Sequence, residues 1–359
     1  MADESVPRRR RARADGPHQR DRERAPVKTP TVDVHAHVLL PQIEDAVAGA
    51  PGHAEHRELD ARRNGPASLQ AGGKMIGERF ERLTRIEARL ADMDAAGVDV
   101  QIVSPSPSHY HYWAAPDLAR TVYRMANEAT AAHCAQAPDR LRGLGLVPLQ
   151  HPDLAVEALD HALSLGLKGV EISSHAPGRE LSDPELEPLW ARAAETGAVV
   201  FLHPFGCTLD ERLDRFYLSN IVGQPAENAV ALSHLIFSGV LDRHPGLKIV
   251  AAHGGGYLPT YLGRADHGWR VRPESRTCAE PPSTYLRRIW FDSLVYEPGA
   301  LRALIEAAGA SQVVLGSDHP FDMGVDDPLD RLRAALPPGD ELDAVRGGNA
   351  VALFDLKEH

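Results

Sequence analysis

From residue 31 onward the chain repeats one alternation. A short apolar, β-branched run is followed by a longer stretch in which apolar residues recur every three or four positions. The short runs fall at 31–36, 99–103, 142–147, 168–172, 198–203, 247–252, 289–293 and 312–317. Several are nearly continuous, such as AVVFL at 198–202 and KIVAA at 248–252, as parallel strands buried on both faces require. Helical patterns follow at 117–137, 152–165, 184–196, 298–308 and from 327 onward, and residues 225–241 and 257–266 follow the fifth and sixth strands. Residues 78–96 predict one amphipathic helix, with Ile86, Leu90 and Met93 on one face and Gly97 as its stop. Eight such units predict an α/β fold, a (β/α)8 TIM barrel. The alternative is an open doubly wound sheet, which eight units would make unusually wide.

Two segments break the alternation. Residues 41–77 are rich in Gly, Pro and polar residues and sit after the first strand, where a barrel places an active-site cover. Residues 1–30 have almost nothing apolar to bury and predict a disordered basic tail before a single domain at 31–359. The tail holds nine Arg or Lys against five Asp or Glu, so of the overall −11 the remainder carries −15. An acidic body argues against a nucleic-acid partner. No apolar run approaches the roughly 18 residues of a membrane span, and no apolar stretch follows Arg8 to Arg11 as an export signal requires. Cys134, Cys207 and Cys278 form no CxxC pair and no disulfide framework, which fits a cytoplasmic protein.

Chemistry-bearing residues gather at the strand ends. The first run holds Asp33-Val34-His35-Ala36-His37; in a regular strand His35 and His37 share a face, with Asp33 one step below as a supporting residue. The fifth run ends in His203, the sixth in His253 before three glycines, and the eighth in Asp318. In a barrel these ends meet at one mouth. Any one histidine there would ordinarily be a satisfied loop or core residue; four strands doing the same points to a site. Three kinds of His end and an Asp suit zinc or a similar divalent ion. The fourth run, KGVEISSH, opens on Lys168 and closes on Ser173 and Ser174, without a bridging group at its end, which favours one metal over two. The glycines after His253 allow close backbone approach, and the amides beyond them could hold an anionic oxygen; a plain tight turn would also require them.

With those residues stand EARLADMDAAGVDVQIV (87–103), VPLQ (147–150), FLHPF (201–205), AAHGGGYLPTYLGRADHGWR (251–270), PPSTYL (281–286), FDSLVYEPGAL (291–301) and VVLGSDHPFDMG (313–324). Together they resemble the amidohydrolase superfamily and, within it, the aminocarboxymuconate-semialdehyde decarboxylase-like group, from about residue 31 to 354. The resemblance implies one divalent ion, Zn2+ or alternatively Mn2+, held by His35, His37, His203 and Asp318. It implies that His253, not a ligand, acts with Asp318 in proton transfer involving metal-bound water. It also implies that Arg264 meets a substrate carboxylate, in the family commonly across a homodimer interface; without the resemblance Arg264 reads as a helix-surface ion pair with Asp266. The family's arginine before the first long helix has only Arg79 or Lys74 to match it. Its HPW is HPF at Phe205, and its GSDYPF is GSDHPF at His319, departures expected to shape the pocket. His109 and His111, in SPSPSHYHYW, read as loop residues, with contact to substrate as the alternative.

The activity so implied is non-oxidative decarboxylation of a small unsaturated or aromatic carboxylic acid, of the 2-amino-3-carboxymuconate 6-semialdehyde or hydroxybenzoate type. A hydrolase of a lactone or amide would use the same five residues. A non-catalytic binding barrel would be expected to have lost one of them, and all five are present.

Overall fold

In this computed structural model the described residues are Met1, 29–206 and 208–356; most of the tail expectation for 1–30, and Cys207, lie outside them. Eight parallel strands form the frame: β1 (Val32–Val38), β2 (Val100–Pro105), β3 (Leu141–Gly143 continued by Gly145–Leu146), β4 (Gly169–Ile172), β5 (Val199–Leu202), β6 (Lys248–Ala251), β7 (Trp290–Asp292) and β8 (Val313–Val314). Neighbours in this order pair in parallel register, and the two segments of β3 bridge β2 to β4. The ring closes where Val34 N donates to the Leu315 carbonyl at 2.9 Å, Asp318 N to the His35 carbonyl at 2.8 Å and His37 N to the His319 carbonyl at 2.8 Å. The expected (β/α)8 barrel is therefore the observed architecture.

The insertion after β1 comprises α1 (Pro41–Val47), α2 (His53–Asn64) and α3 (Pro66–Thr84), and α4 (Ile86–Ala96) completes the first unit. The single helix expected at 78–96 is two, because Arg85 is extended at φ −100° and ψ 133°. Each later strand leads to a helix: α5 (Pro116–Cys134), α6 (Pro152–Ser164), α7 (Glu187–Thr196), α8 (Gln224–Phe237) with the short α9 (Val240–Arg243), α10 (Leu258–Val271), α11 (Pro298–Ala308) and α12 (Pro328–Ala335). Pro41, Pro66, Pro116, Pro152, Pro298 and Pro328 open their helices, where the missing N–H costs nothing and the fixed φ suits the first turn. No described helix is long and apolar enough to cross a membrane.

Alternation along the strands separates two cores. Val200, Leu202, Ile249, Ala251, Phe291 and Val313 pack outward against the helices. Val32, Val34, Val100, Ile102, Leu144, Val199, Phe201, Val250 and Val314 fill the barrel's interior, closed at its lower end by Leu353, Phe354 and Leu356. One strand departs from strict alternation. The β1 register shifts between Asp33 and Ala36, and such a bulge re-aims the side chains that follow it. Val34 belongs to the interior, so Asp33 faces the other way and bonds Gln101 Nε2 at 2.9 Å and Ser317 Oγ at 2.6 Å. Asp33 is thus not a step below the histidines on their face; the bulge turns His35 and His37 inward.

Candidate metal centre

Four side chains converge where the interior opens at the C-terminal ends of the strands. His35 and His37 come from β1, His203 from the residue after β5 and Asp318 from the turn after β8, and one ligand atom of each lies within 4.8 Å of the others. His35 Nε2 and His37 Nε2 are 3.1 Å apart, and Asp318 Oδ1 is 3.3 Å from both. The ring of His203 lies 5.0 Å from that of His35 and 4.9 Å from that of His37. Gly316 leaves room for this crowding, since a Cβ there would meet Asp292 Cβ at 2.8 Å and His35 Cβ at 3.0 Å.

Protein partners alone leave the cluster unsatisfied. Neither ring nitrogen of His203 has a hydrogen-bond partner among the described residues, nor does Asp318 Oδ1. His35 Nδ1 is engaged by Asp292 Oδ2 at 2.6 Å, and His37 Nδ1 by Ser104 Oγ at 3.2 Å. Their Nε2 lone pairs therefore face each other and a carboxylate, an arrangement that a cation between them makes favourable. The electrostatics agree. Burial opposes charge on His35, yet Asp318 and Asp292 push it up to about 10. Burial, with His253, His37 and His35 nearby, holds His203 well below the usual histidine range, so it is a neutral donor. Asp318, against its burial, is held well below the usual carboxylate range by His35 and His253. Three imidazoles and a carboxylate in a field favouring positive charge fit a divalent metal ion.

His253 stands beside this cluster rather than in it. Its Nε2 is 3.9 Å from Asp318 Oδ2, and its side chain keeps 16% exposure against 7% for Asp318. Both residues have left-handed backbones, at φ 54° and 59°, the kind of strain that gathers at functional sites. The glycines after His253 are those of the tight turn. Gly254 N donates to Asp292 Oδ1, Gly255 N to the Ala252 carbonyl and Gly256 N to the His253 carbonyl, so these amides are not available to an anion.

Two interior carboxylates escaped the sequence reading. Asp292, on β7, accepts from His35 Nδ1 and from the backbone N–H of His253, Gly254 and Leu294. Glu171, on β4, is fully buried, accepts from Ser104 Oγ and from Tyr110 Oη at 2.6 Å, and lies 3.5 Å from His37 Nδ1. The fourth strand does supply an acidic side chain to the mouth, from its middle, while Lys168 at its start points its Nζ to the Asp355 carbonyl at 3.5 Å. A charge inside each apolar run, in GVEI and WFD, was the available signal.

The remaining expected residues are more scattered. Phe205 is exposed at the mouth, edge-on to Tyr110 at 6.3 Å. Arg264 is exposed on α10 with no ion pair among the described residues, and Asp266, its expected partner, instead accepts from Ser283 N and Oγ. Arg79 donates through Nη1 to the Pro320 carbonyl at 2.7 Å, tying α3 to the loop after Asp318. Lys74 is exposed and pairs with Glu78. His319 does not shape the pocket: its ring turns away from the mouth to Asp92 Oδ2 at 2.9 Å, and Arg89 Nη1 is 3.4 Å from its Nδ1. His109 and His111 converge on Glu44, a geometry compatible with a cation. However, His109 Nε2 accepts from Leu40 N at 2.9 Å, so its Nδ1 carries the proton given to Glu44 and has no lone pair for a metal.

A family model for amidohydrolases (Amidohydro_2) matches residues 32–356. The chain is 32% identical over 339 residues to 2-amino-3-carboxymuconate-6-semialdehyde decarboxylase of Dictyostelium discoideum, covering 90% of this chain and 91% of that one. Its fold is similar to that of 5-carboxyvanillate decarboxylase from Sphingomonas paucimobilis, with a TM-score of 0.80 and 26% identity over 92% of this chain and 100% of that one. It is likewise similar to 5-carboxyvanillate decarboxylase from Novosphingobium aromaticivorans, a structure complexed with manganese and 4-hydroxy-3-methoxy-5-nitrobenzoic acid, with a TM-score of 0.80 and 25% identity over 92% of this chain and 97% of that one. The chain therefore belongs to the amidohydrolase family, in its 2-amino-3-carboxymuconate-6-semialdehyde decarboxylase-like group.

Proposed function

We propose that this protein is a metal-dependent carboxy-lyase that removes CO2 from a small unsaturated or aromatic carboxylic acid without oxidation. The observation that carries the reading is the His35, His37, His203 and Asp318 cluster with His253 beside it, in a chain similar along its length to decarboxylases. A divalent ion held by those four residues would supply Lewis-acid polarisation of a substrate oxygen. His253, partly exposed and near Asp318, is suited to deliver a proton to the carbon that loses CO2, so that the electrons of the broken C–C bond end in a C–H bond. Phe205 offers an aromatic face at the mouth. Arg264, exposed and without an ion pair among the described residues, is the proposed partner of a substrate carboxylate across a homodimer, and Tyr257 and Tyr261, exposed on the same stretch, offer that interface apolar area. Arg79 stays a candidate for the same role through its Nε and Nη2, which carry no bond among the described residues. The helical insertion is the proposed cover: α2 stacks His53 and His56 on Trp113 and pairs Arg62 with Glu211. Zinc and manganese both suit the ligand set, in a cytoplasmic enzyme.

The test is CO2 release from aminocarboxymuconate semialdehyde and from hydroxybenzoic acids, by protein loaded separately with Zn2+ and Mn2+. Release with one stoichiometric metal is expected. Hydrolysis of lactones or amides with no CO2 from any acid would instead establish the hydrolase. In a His253→Asn protein, Mn2+ binding is expected to persist while CO2 release falls about 10²–10⁴-fold; an unchanged rate would remove that histidine from the reaction.

A further inference from the structure

Two of the four metal-site residues, His35 and His37, have a ring nitrogen held by a neighbour outside the cluster, and His203 has neither nitrogen held. His35 is held through Nδ1 by Asp292, His37 by Ser104, and Asp318 lies against the histidines. Both ring nitrogens of His203 are unpartnered among the described residues, so its ring is aimed by packing against neighbouring rings and by its main chain, which is held on both sides. On one side its N–H donates to the Ile172 carbonyl at 2.9 Å. On the other its carbonyl lies 2.9 Å from Tyr110 Oη, the same hydroxyl that meets Glu171 Oε1 at 2.6 Å. Glu171 in turn accepts from Ser104 Oγ, which stands 3.2 Å from His37 Nδ1. A single buried chain, His203–Tyr110–Glu171–Ser104–His37, thus links ligands from β5 and β1.

We propose that Tyr110, paired with Glu171, is a positioning residue that sets His203 against His37 for metal binding. The loop after β2 is built to hold it still. Its residues alternate, with Tyr110 and Tyr112 facing the site and His109 and His111 facing the insertion. Tyr110 stacks on Tyr112 at 5.3 Å and an interplanar angle of 15°, and the Tyr112 hydroxyl accepts from Ser173 N at 3.3 Å. On the opposite side His109 and His111 reach Glu44 Oε1 at 3.1 and 3.2 Å. Tyr110 itself is 7% exposed, so its ring has little room to move. The hydroxyl has one proton for two buried acceptors, the Glu171 carboxylate and the His203 carbonyl; removing it leaves the pair without that donor and frees the two strands to shift the ligands they support.

The inference rests on the metal-site reading, and its test separates the two. Metal-free wild type, Tyr110→Phe, Glu171→Gln, the double variant and Tyr112→Phe are titrated with Mn2+, free ion being read by electron paramagnetic resonance. Co2+-loaded samples report ligand geometry through their visible bands. Tyr110→Phe and Glu171→Gln are each expected to weaken Mn2+ binding about 10–100-fold and to shift the Co2+ bands. The double variant should cost no more than the worse single, because both act through one bond. Tyr112→Phe, which removes the neighbouring hydroxyl and touches no ligand, should bind as wild type does. Wild-type affinity in Tyr110→Phe, or an equal loss in Tyr112→Phe, overturns the proposal alone. A wild type that binds no divalent ion overturns the metal reading and the proposal together. If Tyr110→Phe does not fold, Glu171→Gln perturbs the same chain at its middle member and decides the matter by the same criterion.

Discussion

Asp292 and His133 show how much a single buried residue can determine here. Asp292 gathers four N–H groups, from the His35 ring and from the backbones of His253, Gly254 and Leu294. One carboxylate therefore orients a metal-site imidazole and the turn bearing the proposed acid. Asp292→Asn trades an acceptor for a donor against that set, and is expected to lower Mn2+ affinity about 10–100-fold, measured by calorimetric titration. His133 accepts from Arg89 Nε at 3.2 Å, and Arg89, fully buried, also donates to Gln101 Oε1 and to the His37 carbonyl. Burial first, then the Arg89 charge, pulls His133 down to about 4 from an ordinary 6.5. The folded state thus binds this proton less readily than the unfolded chain does. The associated stability is present above pH 6.5 and lost as pH falls toward 4, by at most about 3 kcal/mol. Urea midpoints should drop between pH 7 and pH 5 in the wild type, and drop less in His133→Gln, which keeps an acceptor and cannot titrate.

Elements place these residues through backbone details. The turn after β6 depends on Gly256, at φ 63°, where a Cβ would sit 2.1 Å from the Pro225 carbonyl oxygen. Gly256→Ala should destabilise by on the order of 3 kcal/mol from strain and contact, read as a lower denaturant midpoint. Gly73 in α3 has open space around it and no positive φ, so Gly73→Ala should instead stabilise that helix by about 0.5–1 kcal/mol. Hydrogen exchange within α3 would report it directly. The contrast follows from what each element does. The β6 turn packs against α8, whereas the insertion lies largely at the surface, with no buried residue in α2 and only Leu83 buried in α3. With so few core positions α2 and the first part of α3 carry little apolar periodicity, which is why their polar and glycine-rich sequence concealed them, whereas α1, with Ile43 and Val47 buried, is only seven residues long.

At the scale of the whole molecule, the metal site binds distant parts of one ring. Its ligands come from β1, β5 and β8, and β8 closes the barrel onto β1. An ion bound only by the closed ring stabilises the folded state by about 2.7 kcal/mol at a hundredfold excess over its dissociation constant. Chelation should therefore lower the melting temperature by several degrees, and Zn2+ or Mn2+ should restore it. Wild-type melting unchanged by chelation of a protein proven to contain metal would show that the site adds nothing to closure. The lower end of the ring, plugged by Leu353, Phe354 and Leu356, holds no member of the metal cluster.

The apolar runs by themselves determined the eight strands, because strands buried on both faces must be apolar along their length, and their number favoured a barrel over an open sheet. They also set His203, His253 and Asp318 after apolar runs and His35 and His37 within one, all toward the end of the ring where the strands finish. What tertiary structure decided was direction. The bulge in β1 reversed the facing that simple alternation assigns to Asp33. Ring closure turned Glu171 and Asp292 from charges within apolar runs into partners of metal-site histidines, and sent His319 outward to Asp92. Spacing along a chain specifies which residues can share a face. Only closure of the barrel specifies which face is inside, and what lies across it.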